Sequence, residues 1–201
     1  MLDKKYLDEI KKKFEEYESM RDNVINIGIK VNRLSKSLIY SLIRGDERSA
    51  ENYLKEMNEM FKKLKELVEK DSKLYYNAQI SFQEYTEAII FYNILKNGRI
   101  PKHDEIGVDE FSYVLGLMDV AGELYRKSIE EMIKGNIEFA LKTKEFLGEL
   151  YQAMLYMEFK NFDYRRKVDY VAGIYNNLVE KIFYKLLNKE EGNIYEDKKD
   201  S

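Results

Sequence analysis

The chain has 201 residues, 44% hydrophobic and 35% charged, a composition that suits one globular domain and excludes a disordered chain. Its formal net charge is −3, from 34 basic and 37 acidic residues, so any nucleic-acid binding must rest on local basic patches rather than bulk charge. With no Cys there is no disulfide, thiolate metal site or cysteine nucleophile, and one Pro with 10 Gly leaves few helix breakers.

Hydrophobic residues recur at helical period from end to end. A first long helix is predicted from about Asp3 to Ile43, ending at Arg44-Gly45-Asp46, where Gly stops one helix and Asp caps the next. A second runs to about Glu69, and Asp71-Ser72 caps a third that ends near Asn97-Gly98. Arg99–Val108 holds the only Pro and the only His and reads as the main loop, with His103 exposed and without a metal or catalytic role. A fourth helix is predicted over Asp109–Lys134, a fifth over Ile137–Phe159 and a sixth over Asp163–Leu187. Residues 1–187 are therefore expected to form a single all-α domain, an antiparallel bundle, and Asn188–Ser201 a polar, disordered tail. The N-terminus is charged from Asp3 on and no uncharged apolar run approaches the ~18 residues of a membrane span, so a cytoplasmic protein without a membrane anchor is expected. The Lys-, Glu- and Ile-rich, Cys-free composition is a bias of heat-adapted proteins.

Two places break the amphipathic pattern. On the third helix Ile80, Glu84, Glu87, Phe91 and Ile94 share one face, so two carboxylates sit at i, i+3 on an otherwise apolar row. On the fourth, Asp119 and Glu123 share a row with Leu115, flanked by Gly116 and Gly122. Each interior Gly costs a helix about 1 kcal/mol relative to Ala. Close approach of another backbone would explain them. Paired acids repel, more so when half-buried, and need either a cation or basic side chains to offset them. Four carboxylates without His suit a hard, oxygen-seeking ion such as Mg²⁺ or Mn²⁺. Such spacings also arise by chance among 37 acidic residues on solvated faces.

The segments FQEYTEAIIFYNIL and FSYVLGLMDVAGELYRKSIEEMIKGN resemble, in order on consecutive helices, two motifs of the translin / translin-associated factor X family. MRDNVINIGIKVNRLSKSLIYSLIRGD, FLGELYQAMLYM and YRRKVD are similar to further family segments, so the likeness covers roughly residues 20–187. The resemblance, to an archaeal-type member of the factor X branch, implies a seven-helix protomer. It also implies closed homo-oligomers, typically octamers, that bind single-stranded RNA and DNA. The seventh helix would lie within the first long stretch or within Arg99–Val108. In the factor X branch four acids carry a metal-dependent endoribonuclease activity. The matching positions are Glu84 and Glu87 in QEYTEA, and Asp119 and Glu123 in DVAGE, as ligands of Mg²⁺ or Mn²⁺. The chain departs from the family pattern in VAGE for LTGE and in Ile43 where a His would stand, and neither change removes an acid.

Binding needs cations. The candidates are Arg21, Lys30 and Arg33 on the first helix, Arg126 and Lys127 a turn beyond Glu123, and the cluster Arg165, Arg166, Lys167. Two other readings compete. One is a translin-like binder that does not cut. The other is an all-α nucleotide pyrophosphohydrolase, whose second acid pair would be spaced i, i+3 rather than the i, i+4 of Asp119 and Glu123. A ferritin-like di-iron bundle needs Glu-x-x-His pairs, which a chain with one His in a loop does not provide.

Overall fold

The structure, a computed structural model, describes the backbone of residues 2–197 and side chains up to residue 187. Among the described residues there are seven α-helices, one 3₁₀ turn and no strand. The helices are α1 (Lys4–Arg44), α2 (Glu47–Lys70), α3 (Tyr75–Asn97), α4 (His103–Ile106), α5 (Glu110–Ile133), α6 (Ile137–Tyr156) and α7 (Phe162–Asp197). The chain packs as two units, Met1–Gly116 and Leu117–Ser201, and α5 is one continuous helix through the boundary.

In the first unit α1 packs along both α2 and α3. The α1–α2 turn follows from two residues. Gly45 takes the left-handed conformation, φ 77°, which closes α1 on the carbonyls of Ser41 and Leu42, and Asp46 caps α2 by accepting from the Ser49 N–H at 3.1 Å. So short a link makes α1 and α2 antiparallel neighbours. From α1, Val24, Val31 and Leu38 are fully buried. Between α2 and α3 the Phe61 ring stacks on Tyr85, centroids 3.6 Å apart, and meets Phe82 edge-on at 4.8 Å. The expected loop at 99–108 contains the seventh helix, α4, so His103 opens a helical turn and is half-buried rather than exposed. Its Nδ1 lies 3.4 Å from the Val108 carbonyl.

The start of α5 is tied to the start of α3. Asp109 accepts from the Ser112 N–H at 2.9 Å and from the Tyr75 hydroxyl, and the Tyr75 and Ser112 hydroxyls lie 2.9 Å apart. Burial would raise the Asp109 carboxyl, but the hydrogen bonds from Tyr75 and Ser112 outweigh it and hold the group below the usual Asp value. In the second unit α6 packs on α7, with Leu147, Val171 and Leu178 fully buried. The helix α7 continues to Asp197, past the boundary expected at Leu187, and residues 198–201 of the expected tail lie outside the described residues. Among the described residues no helix is long and apolar enough to cross a membrane.

Candidate metal and nucleic-acid site

In the first unit the 3₁₀ turn Ser72–Leu74, capped by Asp71, feeds α3, and Glu84 and Glu87 sit at the middle of that helix. Both are half-buried. The row they share is less apolar than its residue types suggest, since Phe91 is fully buried but Ile80 is 65% exposed. Glu84 lies at the rim of the core. Lys36 reaches it from α1, with Nζ 3.7 Å from Oε1. The next two residues anchor α3. Tyr85 donates its hydroxyl to Asn58 at 2.9 Å, and burial pushes that phenol up to about 12. Thr86 is fully buried and donates to the Phe82 carbonyl at 2.7 Å.

Gly116 explains the first interior glycine. A Cβ there would stand 2.7 Å from the Thr86 Cβ and 2.8 Å from the Gln83 carbonyl oxygen, so the α5 backbone lies directly on the Gln83–Thr86 turn of α3. This is the close backbone approach expected from the sequence. Gly122 has a different reason: its missing side chain makes room for the phenol of Tyr170 from α7.

In the second unit Asp119 and Glu123 project from consecutive turns of α5, with side chains 21% and 17% exposed. Lys167 of α7 places its ammonium against Asp119 Oδ1, and Arg126 Nη1 lies 3.5 Å from Glu123 Oε2. Glu123 lines a cavity of about 520 Å³, with Gly122, Arg126, Tyr170 and Lys181 among its walls. Half-buried carboxylates of this kind hold hard cations or accept protons. Among the described residues no group of three or more His, Asp and Glu side chains is arranged to hold a metal ion. Lys36, Lys167 and Arg126 offset Glu84, Asp119 and Glu123.

The expected phosphate contacts divide into two kinds. Lys30 and Arg33 are exposed on α1, and Arg21 is half-buried beside Asp22, 3.2 Å away. Arg165 and Arg166 are exposed and line a cavity of about 420 Å³ with Phe159 and Phe162. Lys167 is instead half-buried on Asp119, and Lys127, with its side chain only 12% exposed, pairs with Glu131 at 2.9 Å. Sequence reading missed Lys36 and Lys181. The signal for Lys36 was its place one turn beyond Arg33, inside the segment SKSLIYSLIRGD; Lys181 has none.

The sequence profile of the Translin family matches residues 19–187. The chain belongs to the Translin family. A relative in Methanocaldococcus jannaschii, the uncharacterised protein MJ0175, is 30% identical over 166 residues, 78% of this chain and 72% of its own length. Among solved structures, apo-NeC3PO superposes with a TM-score of 0.86 at 45% identity, covering 92% of this chain and 98% of its own. AfC3PO in complex with duplex RNA superposes with a TM-score of 0.82 at 24% identity, covering 91% and 97% of the two chains. The Translin-family fold is therefore established for this chain, and it is all-α as its helical periodicity predicts.

Proposed function

We propose that this member of the Translin family binds single-stranded RNA and DNA and cleaves RNA as a metal-dependent endoribonuclease, working in the cytoplasm as a closed homo-oligomer, an octamer. The observation that carries the reading is the half-burial of all four motif acids, paired at helical spacing as Glu84 and Glu87 on α3 and Asp119 and Glu123 on α5. The AfC3PO complex with duplex RNA supports nucleic-acid binding by a chain of this fold.

The donor set is made of carboxylates alone, which suits Mg²⁺ or Mn²⁺ and disfavours softer metals. Glu84, Glu87, Asp119 and Glu123 would be its ligands. Such an ion supplies positive charge to the scissile phosphate and the leaving oxygen. Lys36, Arg126 and Lys167 carry the acids' charge in its absence and yield it on loading. One carboxylate takes the proton of the attacking nucleophile at its oxygen. Arg126 and Lys181, at the cavity beside Glu123, hold the phosphodiester by charge, with Tyr170 against a sugar or base. Lys30, Arg33, Arg165 and Arg166 add sequence-independent affinity along the strand.

The test is incubation of pure protein with labelled single-stranded RNA in Mg²⁺, Mn²⁺ or chelator, alongside Glu84→Ala and Glu123→Ala. Cleavage with either ion is expected, with loss of about 100-fold or more in each variant and unchanged RNA binding. Undiminished cleavage in both variants refutes the assignment. A second reading, a binder that does not cut, is favoured by the ion pairs that already occupy Glu84, Asp119 and Glu123. Binding without metal-dependent cleavage would select it.

A further inference from the structure

Between Asp22 and Asp46 the chain carries no Asp or Glu but four cations, Lys30, Arg33, Lys36 and Arg44, in a protein whose formal net charge is −3. This stretch is the second half of α1. Within it Ile29, Arg33, Lys36, Tyr40 and Arg44 follow one another at steps of three or four residues, so they share one helix face. All five are exposed, Ile29 by 61% and Tyr40 by 54%, while Val31, Leu34 and Leu38 of the same helix are buried.

Two contacts fix what this face stands beside. A Cβ on Gly28 would meet the Ser81 hydroxyl at 2.7 Å, and Lys36 Nζ lies 3.7 Å from Glu84 Oε1. Both contacts advance in the same direction along α1 and α3, so the two helices run parallel and the cationic row flanks the acids of α3. One turn beyond Lys36, about 6 Å at 1.5 Å per residue, stands Tyr40. Arg44 holds it: Cζ lies 5.3 Å from the ring centroid, and Nη1 donates to the Tyr40 hydroxyl at 2.9 Å. An aromatic ring and a guanidinium plane are the groups on which unpaired bases stack, and cations beside them take the phosphates. The alternation of cation and apolar group also speaks against a protein partner, because the centre of a protein interface is depleted of charge. A polyanion with bases to stack fits both halves of the row. We propose that Tyr40 and Arg44 form a base-stacking site for single-stranded RNA, with Arg33 and Lys36 on its phosphates as the strand passes Glu84. The proposal rests on the single-strand binding of the reading above and not on cleavage.

Affinity measured in chelator, where metal-dependent cleavage is silent, isolates binding. The probes are a labelled oligouridylate and a strand of the same length whose ribose-phosphate backbone carries no bases. In the full-length chain, Tyr40→Ala is expected to weaken oligouridylate binding about fivefold or more and to leave the abasic strand unchanged. Tyr40→Phe is expected to keep the parent's affinity for both. Arg44→Ala is expected to weaken both and to flatten the salt dependence of binding. Tyr40 lies outside the core, so the melting temperature of its variants is expected to match the parent. A parent chain that binds both strands equally, undiminished oligouridylate affinity in Tyr40→Ala, or an equal loss on both strands would overturn the proposal. Base-dependent binding through Tyr40 without cleavage would support this site and refute the nuclease reading. Metal-dependent cleavage with oligouridylate affinity unchanged in Tyr40→Ala would do the reverse.

Discussion

Two helical glycines set opposite expectations for one substitution. Gly→Ala favours a helix by about 1 kcal/mol where nothing crowds the new methyl. At Gly173 on α7 nothing stands within 4 Å of a Cβ, so Gly173→Ala is expected to raise the melting temperature. At Gly116 the methyl meets the Gln83 carbonyl oxygen at 2.8 Å and the Thr86 side chain at 2.7 Å, and overpacking of this kind costs about 1–3 kcal/mol. Gly116→Ala is expected to lower the melting temperature in spite of its helix propensity. Thermal unfolding of both variants checks the pair, and a gain at Gly116 would mean that α5 and α3 do not approach this closely. Sequence alone showed that Gly116 and Gly122 needed a reason. It could not show that one accommodates a backbone and the other the phenol of Tyr170, because both look alike along the chain. The four acids were legible for a related reason: a carboxylate on an apolar row is an exception visible at helical period. Their counter-charges on other helices were not, since Lys36 and Lys167 lie 48 residues from Glu84 and Asp119 respectively.

At the scale of elements, the helix boundaries were read closely where a side chain caps them. Asp46 and Asp71 mark the starts of α2 and of the turn into α3. The segment 99–108 was harder, because four residues of helix carry no periodicity, and α4 rests on local hydrogen bonds such as Glu105 to the Lys102 N–H at 3.0 Å. The end of α5 carries a pH-sensitive pair. The hydrogen bond from Lys127 holds the Glu131 carboxyl below its ordinary 4.5, against the upward push of burial and with help from Asn136. A group whose folded pKa is depressed contributes stability that is fully present above the unfolded value and is lost as pH falls through the folded one. Glu131→Gln is therefore expected to unfold more readily than the parent chain at neutral pH, with the gap closing below pH 4.5. Denaturant titrations at both pH values measure it, and a gap independent of pH would show that the pair adds nothing.

At the scale of the whole molecule, net charge is uninformative and local charge decides. If Lys30, Arg33, Arg165 and Arg166 contact phosphates, log affinity for single-stranded RNA is expected to fall linearly with log salt, with a slope of about −0.7 per contact. Substituting two of them by Ala is expected to flatten that slope, and affinity indifferent to salt would contradict the proposed interface. The sequence by itself determined the helical architecture and the family, and it singled out the four acids as candidates. Each of these rests on periodicity, caps or ordered motifs, and local chain geometry suffices for them. Only the tertiary structure decided which basic side chains face solvent and which are held by an acid. Lys127 and Lys167 look as solvated as Arg165 along the chain, yet Glu131 and Asp119 hold them. It also decided that the row of α1 carrying Lys36 lies against the acids of α3. A helical row reads the same along the chain whether it meets a core, an acid or water, and its surroundings depend on which other helices reach it.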